Sequence, residues 1–363
     1  MDRITVETRS IIIGLVGSHG YGLSRPGSDK DYRGIFIAPK VYYLGSAAIE
    51  QKDRGWSEPG VLSFLDNNED TTIYELRKYM QLAANSNPNT LELLWLPEYP
   101  FITSVGKKLI ANRQVFLSKK AKYTFSGYAA AQIRKIESHR KWLLNPPAKP
   151  PNPEDFDLVK ERPLSKDELH SFLEYLYLLI REKIEYFAEA EELYQLLTGD
   201  VDFKGLLKQY PLANEVLPYS QNLTNGRSDF IKLLQKSQGY RNACREWDAY
   251  QSWAKNRNPQ RAGMEKKSGF DLKHAMHCLR ILRSGTEVLR SSEVPVDRVT
   301  AGDAAELRGI LNGDFSYEQV KAMADQASAE MEEVYKTSTL PEQPDLAAID
   351  QLCVELVEEF GFS

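Results

Sequence analysis

Hydrophobic residues change their spacing once along this chain. Near the start they form short continuous runs: Ile11, Ile12, Ile13, Leu15 and Val16 broken only by Gly14, then Tyr32–Ala38. Runs of this length bounded by glycine predict buried strands. Val61–Leu65 is a third candidate strand, and Glu69–Ile73 a further extended piece. From Tyr74 the period becomes helical, with Tyr74, Leu76, Tyr79, Met80 and Ala83 on one face up to Ala84. Asn85-Ser86-Asn87-Pro88-Asn89 ends that helix, and a short one over Thr90–Leu96 is stopped by Pro97. Beyond it nearly every apolar residue recurs at three or four positions. The spacing predicts helices over Val105–Asn112, Lys119–Leu144, Lys166–Leu197, Asn242–Lys255, Asp271–Leu289, Ala304–Leu311, Tyr317–Tyr335 and Leu346–Glu359. Five prolines in the nine residues 145–153 predict an extended loop, and Gly263–Ser268 a second loop.

Composition narrows the class. Of 363 residues, 42% are hydrophobic and 27% charged, an ordinary globular balance for two or three domains. A net charge of −5 does not mark a general nucleic-acid binder. No apolar run reaches the ~18 residues that cross a membrane. Acidic and polar residues stand at the start (Met1-Asp2-Arg3), where a signal peptide carries an apolar core. Three dispersed cysteines (Cys244, Cys278, Cys353) suit reduced thiols. A cytoplasmic protein with no membrane partner is expected.

The densest chemistry lies between the first two strands. Val16-Gly17-Ser18-His19-Gly20-Tyr21-Gly22 is a glycine-rich turn directly after a buried strand. Its glycines permit close backbone approach, and its N–H groups with the Ser18 hydroxyl suit the β- and γ-phosphates of a nucleotide. No Gly-Lys-Ser/Thr follows, which excludes the phosphate loop of P-loop NTPases. The residues after Gly22 cannot start the long helix of a dinucleotide-binding loop. Pro26-Gly27-Ser28 then delivers Asp29 and Asp31 just before the second strand. Strand alternation would turn both carboxylates to one face and Lys30 away. Two adjacent carboxylates repel unless a cation joins them, and an oxygen-only pair beside a phosphate-holding turn suits Mg²⁺ or Mn²⁺ carrying an NTP. Two-metal phosphoryl transfer calls for a third carboxylate from a neighbouring strand. Asp70 is the choice, with Glu69 and Glu75 as rivals. Read by itself, Ser28-Asp29 is also a common turn motif and Asp31 a strand-edge charge.

Gly17-Ser18, Gly22 and Ser28-Asp29-x-Asp31 resemble the signature of the DNA polymerase β-like nucleotidyltransferase superfamily. The likeness extends to a bacterial and phage family that includes RNA repair pathway proteins. It is carried further by Arg33-Gly34, Tyr74-Glu75-Leu76-Arg77-Lys78-Tyr79, Asn87-Pro88-Asn89, Leu91-Glu92-Leu93-Leu94, Phe116-Leu117-Ser118, Phe125-Ser126-Gly127-Tyr128-Ala129 and Lys273-His274-Ala275-Met276-His277 with Leu279-Arg280. These segments span roughly residues 11 to 313; the tail from Leu340 lies beyond them. The resemblance implies that Gly17 and Ser18 bind triphosphate, that Asp29 and Asp31 bind metal, and that Ser126-Gly127-Tyr128 lies near the nucleotide.

Other polar features fill in the expected site. Phosphate or nucleotide contact is expected from His19, Tyr21, Arg77, Lys273 and His277. His19 could equally shape the turn, and Arg77 balance a carboxylate. His274 and His277, three apart, share a helix face; with no third ligand evident, a packed or phosphate-contacting pair is favoured over a metal pair. Between Lys107 and Lys141 stand ten basic residues against one acidic residue, Glu137, interleaved with Tyr123, Phe125, Tyr128 and Trp142. Cations meet phosphates and aromatics stack on bases, so Lys119, Lys120, Lys122, Tyr128 and Arg134 are expected nucleic-acid contacts. The competing view is a solvated face paired with acids such as Glu189, Glu191 and Glu192.

The fold class expected is α+β: a small mixed-sheet nucleotidyltransferase domain at residues 1–115, followed by a larger all-helical region at 116–363. The expected activity is Mg²⁺-dependent transfer of an NMP from an NTP to an acceptor hydroxyl, an RNA end. A protein hydroxyl modified in a toxin–antitoxin setting, or a non-catalytic nucleotide- or RNA-binding module, is the alternative.

Overall fold

A computed structural model describes residues 1–53, 60–65, 70–158, 228–257 and 259–361. The chain forms two compact units, Met1–Leu144 with Gln260–Ser363, and Asn145–Pro259. In the first unit α1 (Arg3–Thr8) leads into β1 (Ser10–Val16), α2 (Gly17–Gly20), β2 (Asp31–Phe36), α3 (Val41–Leu44), β3 (Gln51–Asp53) and β4 (Asp70–Glu75). There follow α4 (Leu76–Ala84), α5 (Pro88–Leu91), β5 (Phe101–Ile102), α6 (Ser104–Ala111) and α7 (Lys120–Leu144). The second unit holds a 3₁₀ turn at Pro153–Phe156 and α8 (Ser228–Asn256), and α9 (Pro259–Ser268) starts at its end. The remaining described helices return to the first unit: α10 (Leu272–Ser291), α11 (Arg298–Ala301), α12 (Ala304–Asn312), α13 (Tyr317–Thr337) and α14 (Leu346–Phe360). No described helix is long and apolar enough to cross a membrane. The three cysteines are free.

The fold is thus an N-terminal mixed sheet followed by a helical region. Its five strands run in the order β3-β4-β2-β1-β5. β2 and β4 are parallel, and the other pairs are antiparallel. Both sheet faces are covered, which is why the strands read as continuous apolar runs rather than alternating ones. Val6, Ile13, Tyr32, Phe36, Leu65 and Ile73 form one small core. Ile12, Val16, Ile35 and Tyr74 face the large core built with the helices. Alternation along β2 and β4 therefore turns Asp31 and Asp70 toward the helical side.

Several boundaries differ from those expected. Val61–Leu65 is not a strand; it makes a 3₁₀ turn at Ser63–Leu65, and the additional strand lies at Gln51–Asp53. A short apolar run has no period to tell these apart. Tyr74 and Glu75 finish β4, and Glu75 caps α4 by accepting from the Arg77 backbone N–H at 3.0 Å. The helix placed at Thr90–Leu96 starts at Pro88 and tightens to 3₁₀ over Glu92–Trp95. Gly263–Ser268 is helical, the end of α9. The helix Lys166–Leu197, with Glu189, Glu191 and Glu192, and the rival Glu69 lie outside the described residues.

The cut at 115/116 falls inside the first unit. Leu109, Phe116, Phe125 and Leu279 share one core there, so sheet and helices are not separable at that point. α10 runs through that core, with Ala275, Cys278, Leu279, Leu282, Val288 and Leu289 buried. The tail also returns to the start of the chain: Arg9 donates to the Gly361 carbonyl at 3.1 Å and lies over the Phe360 ring.

Candidate active site

The register of β2 and β4 pairs Asp31 with Asp70 across two neighbouring parallel strands, and Val16 lies opposite Asp31 on the other side. Neighbouring strands are ~4.8 Å apart, and register partners share a face. Asp29 precedes the strand, so alternation does not aim it, but its charge still reaches Asp31. Burial pushes the Asp31 carboxyl above its usual range; Lys273 pulls it back, Asp70 pushes it up again, and Arg33 and Asp29 act in opposite senses. Three like charges thus meet at one end of the sheet.

The glycine turn is pressed against this edge. A Cβ built on Gly17 would stand 2.3 Å from Oδ2 of Asp31, and Gly17 has φ +65°. Only glycine allows both that approach and that backbone. The turn between Arg25 and Ser28 is closed by the Ser28 N–H to Arg25 O bond at 2.9 Å and by the Arg25 N–H donating to Ser28 Oγ at 2.8 Å. His19 Nε2 lies 3.4 Å from the Ser28 carbonyl, the geometry of a group that shapes the turn.

Tyr21 corrects an expectation. It is turned inward, 4% exposed, and donates to Glu92 Oε2 at 2.7 Å. Arg280 stacks its guanidinium on the Tyr21 ring, 3.8 Å from the centroid, and pairs with Glu92 Oε1. His277 meets the other edge of that ring at 6.2 Å, and burial holds its imidazole well below the usual pKa. Tyr21 and His277 therefore pack the turn onto α10. Behind them Arg298, 1% exposed, binds Glu287 and Asp303, and its backbone N–H donates to the Tyr21 carbonyl at 3.0 Å. Arg308 donates to the Gly22 carbonyl. Sequence reasoning gave no role to Glu92, Arg280 or Arg298. The available signal was a charge inside apolar helical stretches, with an acid and a base to match.

Arg77 and Glu75 are also corrected. Glu75 lies five residues along β4 from Asp70, at the opposite end of the sheet, ~16 Å away at the strand's rise. It is buried and accepts from Tyr43 Oη at 2.6 Å. Arg77 pairs with Glu75, donates to the Tyr42 carbonyl at 2.8 Å and covers the Tyr43 ring. Neither residue belongs with the aspartates. Lys273, exposed at the first turn of α10, does act on Asp31. Arg33, two residues after Asp31 on its face, also does so and donates to Tyr74 Oη at 2.9 Å; strand alternation would have found it.

The basic tract is partly neutralised by the chain's own acids. Lys119 pairs with Glu342, Lys122 with Glu332, Lys108 with Glu355 and Glu359, and Arg140 with Glu318. Lys120 donates to Asn85 Oδ1 at 3.0 Å, and Tyr128 Oη accepts from Asn87 Nδ2 at 2.9 Å. Arg134 is exposed on α7. The expected His274–His277 pair is not a unit: His274 belongs to a cluster with His139 and Asp271.

A small mixed sheet thus carries aspartates at one end beside a glycine turn. Residues 4–146, less than half of the chain, match the family described as "RNA repair pathway DNA polymerase beta family". The chain is also 29% identical over 131 residues to an uncharacterised 38.9 kDa protein of Enterobacteria phage T4, covering 35% of this chain and 38% of that protein. The chain thus spans well under half the length of that relative. No solved structure matches.

Proposed function

We propose that this protein is a metal-dependent nucleotidyltransferase that moves an NMP from an NTP onto an acceptor hydroxyl at an RNA end, releasing pyrophosphate. The register pair Asp31–Asp70, with Gly17 closed on the Asp31 carboxylate, carries the proposal. The donor set fits a hard divalent cation, being carboxylate oxygen throughout with like charges that a cation relieves. Asp29, Asp31 and Asp70 would hold Mg²⁺ or Mn²⁺. When bound, such an ion supplies the positive charge that stabilises a reacting phosphoryl group and its leaving pyrophosphate.

The chain's own residues then do the positioning. Gly17 would let the backbone approach the phosphates without a side chain in the way, and the Ser18 hydroxyl would donate to them. Lys273 brings a cation from the helical side to balance triphosphate charge. The Tyr21–Glu92–Arg280 contacts hold the turn still, which fixes donor geometry before the acceptor arrives.

The RNA acceptor follows the family's description. A protein hydroxyl is the second reading, favoured by the pairing of Lys108, Lys119, Lys122 and Arg140 with this chain's own carboxylates. The test incubates each α-labelled NTP with Mg²⁺, RNA and either wild type or Asp29→Ala/Asp31→Ala. Label on RNA that the variant fails to transfer is the expected result. Equal incorporation by both proteins overturns the proposal, and label only on protein selects the second reading.

A further inference from the structure

Among the described residues outside the aspartate edge, one cluster has the composition of a transition-metal site. His139 on α7, and Asp271 and His274 at the start of α10, each offer a ligand atom, all within 4.8 Å of one another. Asp271 divides its work. Its Oδ1 caps α10 by accepting the His274 backbone N–H at 3.0 Å, which leaves Oδ2 aimed at the two imidazoles. His139 Nδ1 lies 2.8 Å from Oδ2 and His274 Nε2 lies 3.7 Å from it. Two donors on one tetrahedral zinc, each at ~2.0–2.2 Å, stand ~3.3 Å apart, between those two values.

The other nitrogen of His274 sharpens the argument. Nδ1 is 2.7 Å from Gln132 Oε1, an acceptor, so Nδ1 carries the proton. In the neutral ring, Nε2 then presents a lone pair toward a carboxylate oxygen at 3.7 Å, too far for a hydrogen bond. A ring nitrogen and a carboxylate oxygen at that separation, the oxygen already bonded to His139 Nδ1, are groups that one cation could draw together. A ligating histidine whose remaining N–H is held by an acceptor is the usual outer-shell support of a metal. Side chains of the three residues are 10–24% exposed, sheltered yet within reach of an ion from solvent. Trp142 stacks on His139 with ring centroids 5.7 Å apart, fixing that imidazole's plane.

We propose that His139, Asp271 and His274 bind one divalent transition-metal ion of the zinc type, with a fourth position left for water. Two imidazoles and one carboxylate are borderline ligands that suit zinc over Mg²⁺. The ion joins α7 to the first turn of α10, the turn that also carries Lys273. This site is independent of the nucleotidyl-transfer reading, because it shares no ligand with the aspartate edge.

The test titrates EDTA-treated full-length protein with Zn²⁺ against a chromophoric chelator, and with Co²⁺ by visible absorption. Asp29→Asn/Asp31→Asn serves as the parent, so that ions at the aspartate edge do not count. One ion per chain is expected in that parent, with at least ~100-fold weaker binding in His139→Ala/His274→Ala. Asp271→Asn keeps a good helix cap and should also bind more weakly. Gln132→Met should lose ~10–100-fold in affinity through the ring it orients. Should the double histidine variant fail to fold, X-ray absorption of the zinc-loaded parent decides: two imidazole ligands support the site, and an oxygen-only shell overturns it. No ion in the parent, or unchanged affinity in a folded double variant, also overturns it.

Discussion

The first unit contains two groups of charges handled in opposite ways. Around Tyr21, every charge is answered. Arg280 has Glu92, and Arg298 has Glu287 and Asp303, all in contact and largely out of water. At the end of β2 and β4, Asp29, Asp31 and Asp70 accumulate one sign, with Asp29 and Asp70 exposed and Asp31 half-buried. Lys273 and Arg33 draw the Asp31 carboxyl down, but burial and the neighbouring acids prevail and keep it raised. The contrast separates opposite charges that brace the fold from acids of one sign gathered at the end of the sheet.

Breaking the open group should cost the most. Asp31→Asn is expected to lower nucleotidyl transfer by ~10³-fold or more, about 4 kcal/mol in the barrier, with an unchanged circular dichroism spectrum. A variant retaining a tenth of the wild-type rate would remove that aspartate from the chemistry. Breaking the closed group should act on stability instead. Arg280→Met strands Glu92 in the core and is expected to cost about 3–5 kcal/mol in urea unfolding. Arg280→Met/Glu92→Leu should recover most of that loss, because the stranded charge is gone.

Gly17→Ala sits on the boundary between the two groups. The left-handed backbone costs an L-residue about 1–2 kcal/mol, and the new Cβ collides with the Asp31 carboxylate. Activity should therefore fall much further than stability, which parallel assays would separate. Acid titration probes the closed group more gently. Burial opposes ionisation of Asp303, but its bonds to Arg298 and Arg283 prevail and hold its carboxyl below 3.8. A depressed folded pKa contributes stability above 3.8 that is lost as pH falls through the lower folded value. Melting temperatures from pH 6 to pH 3 should drop less in Asp303→Asn than in wild type. Smallest of all, Lys119→Ala and Lys122→Ala should each change stability by under ~1 kcal/mol, since the acid of each pair is well exposed to solvent. A larger effect on RNA affinity, with a shallower salt dependence, would mark those lysines as phosphate contacts.

Unlike α9 and α11, the strands β1 and β2, the helices α6, α7, α10, α12, α13 and α14, and the glycine turn beside Asp31 were legible in local pattern. Each is encoded within a dozen residues by period, by glycine or by a cap. Val61–Leu65 was not legible, because a short apolar run fits a turn packed on a core as well as it fits a strand. Arg77 was expected near the nucleotide because proximity in sequence was taken for proximity in space, whereas six strand residues carry the chain along the whole strand; its alternative reading, balancing a carboxylate, is the one the structure shows with Glu75.

By itself the sequence determined the chemistry on offer: paired aspartates after a glycine turn, and a switch from strand to helix period. Tertiary structure alone decided which of these groups meet. Parallel pairing of β2 with β4 sets Asp70 beside Asp31 across 39 residues of chain. The return of α10 to the sheet gives Tyr21 a buried partner instead of a phosphate, and gives His274 its neighbour His139 from a helix 135 residues earlier. Local pattern reports which face of an element is buried; only the packing of distant elements fixes which charge faces which.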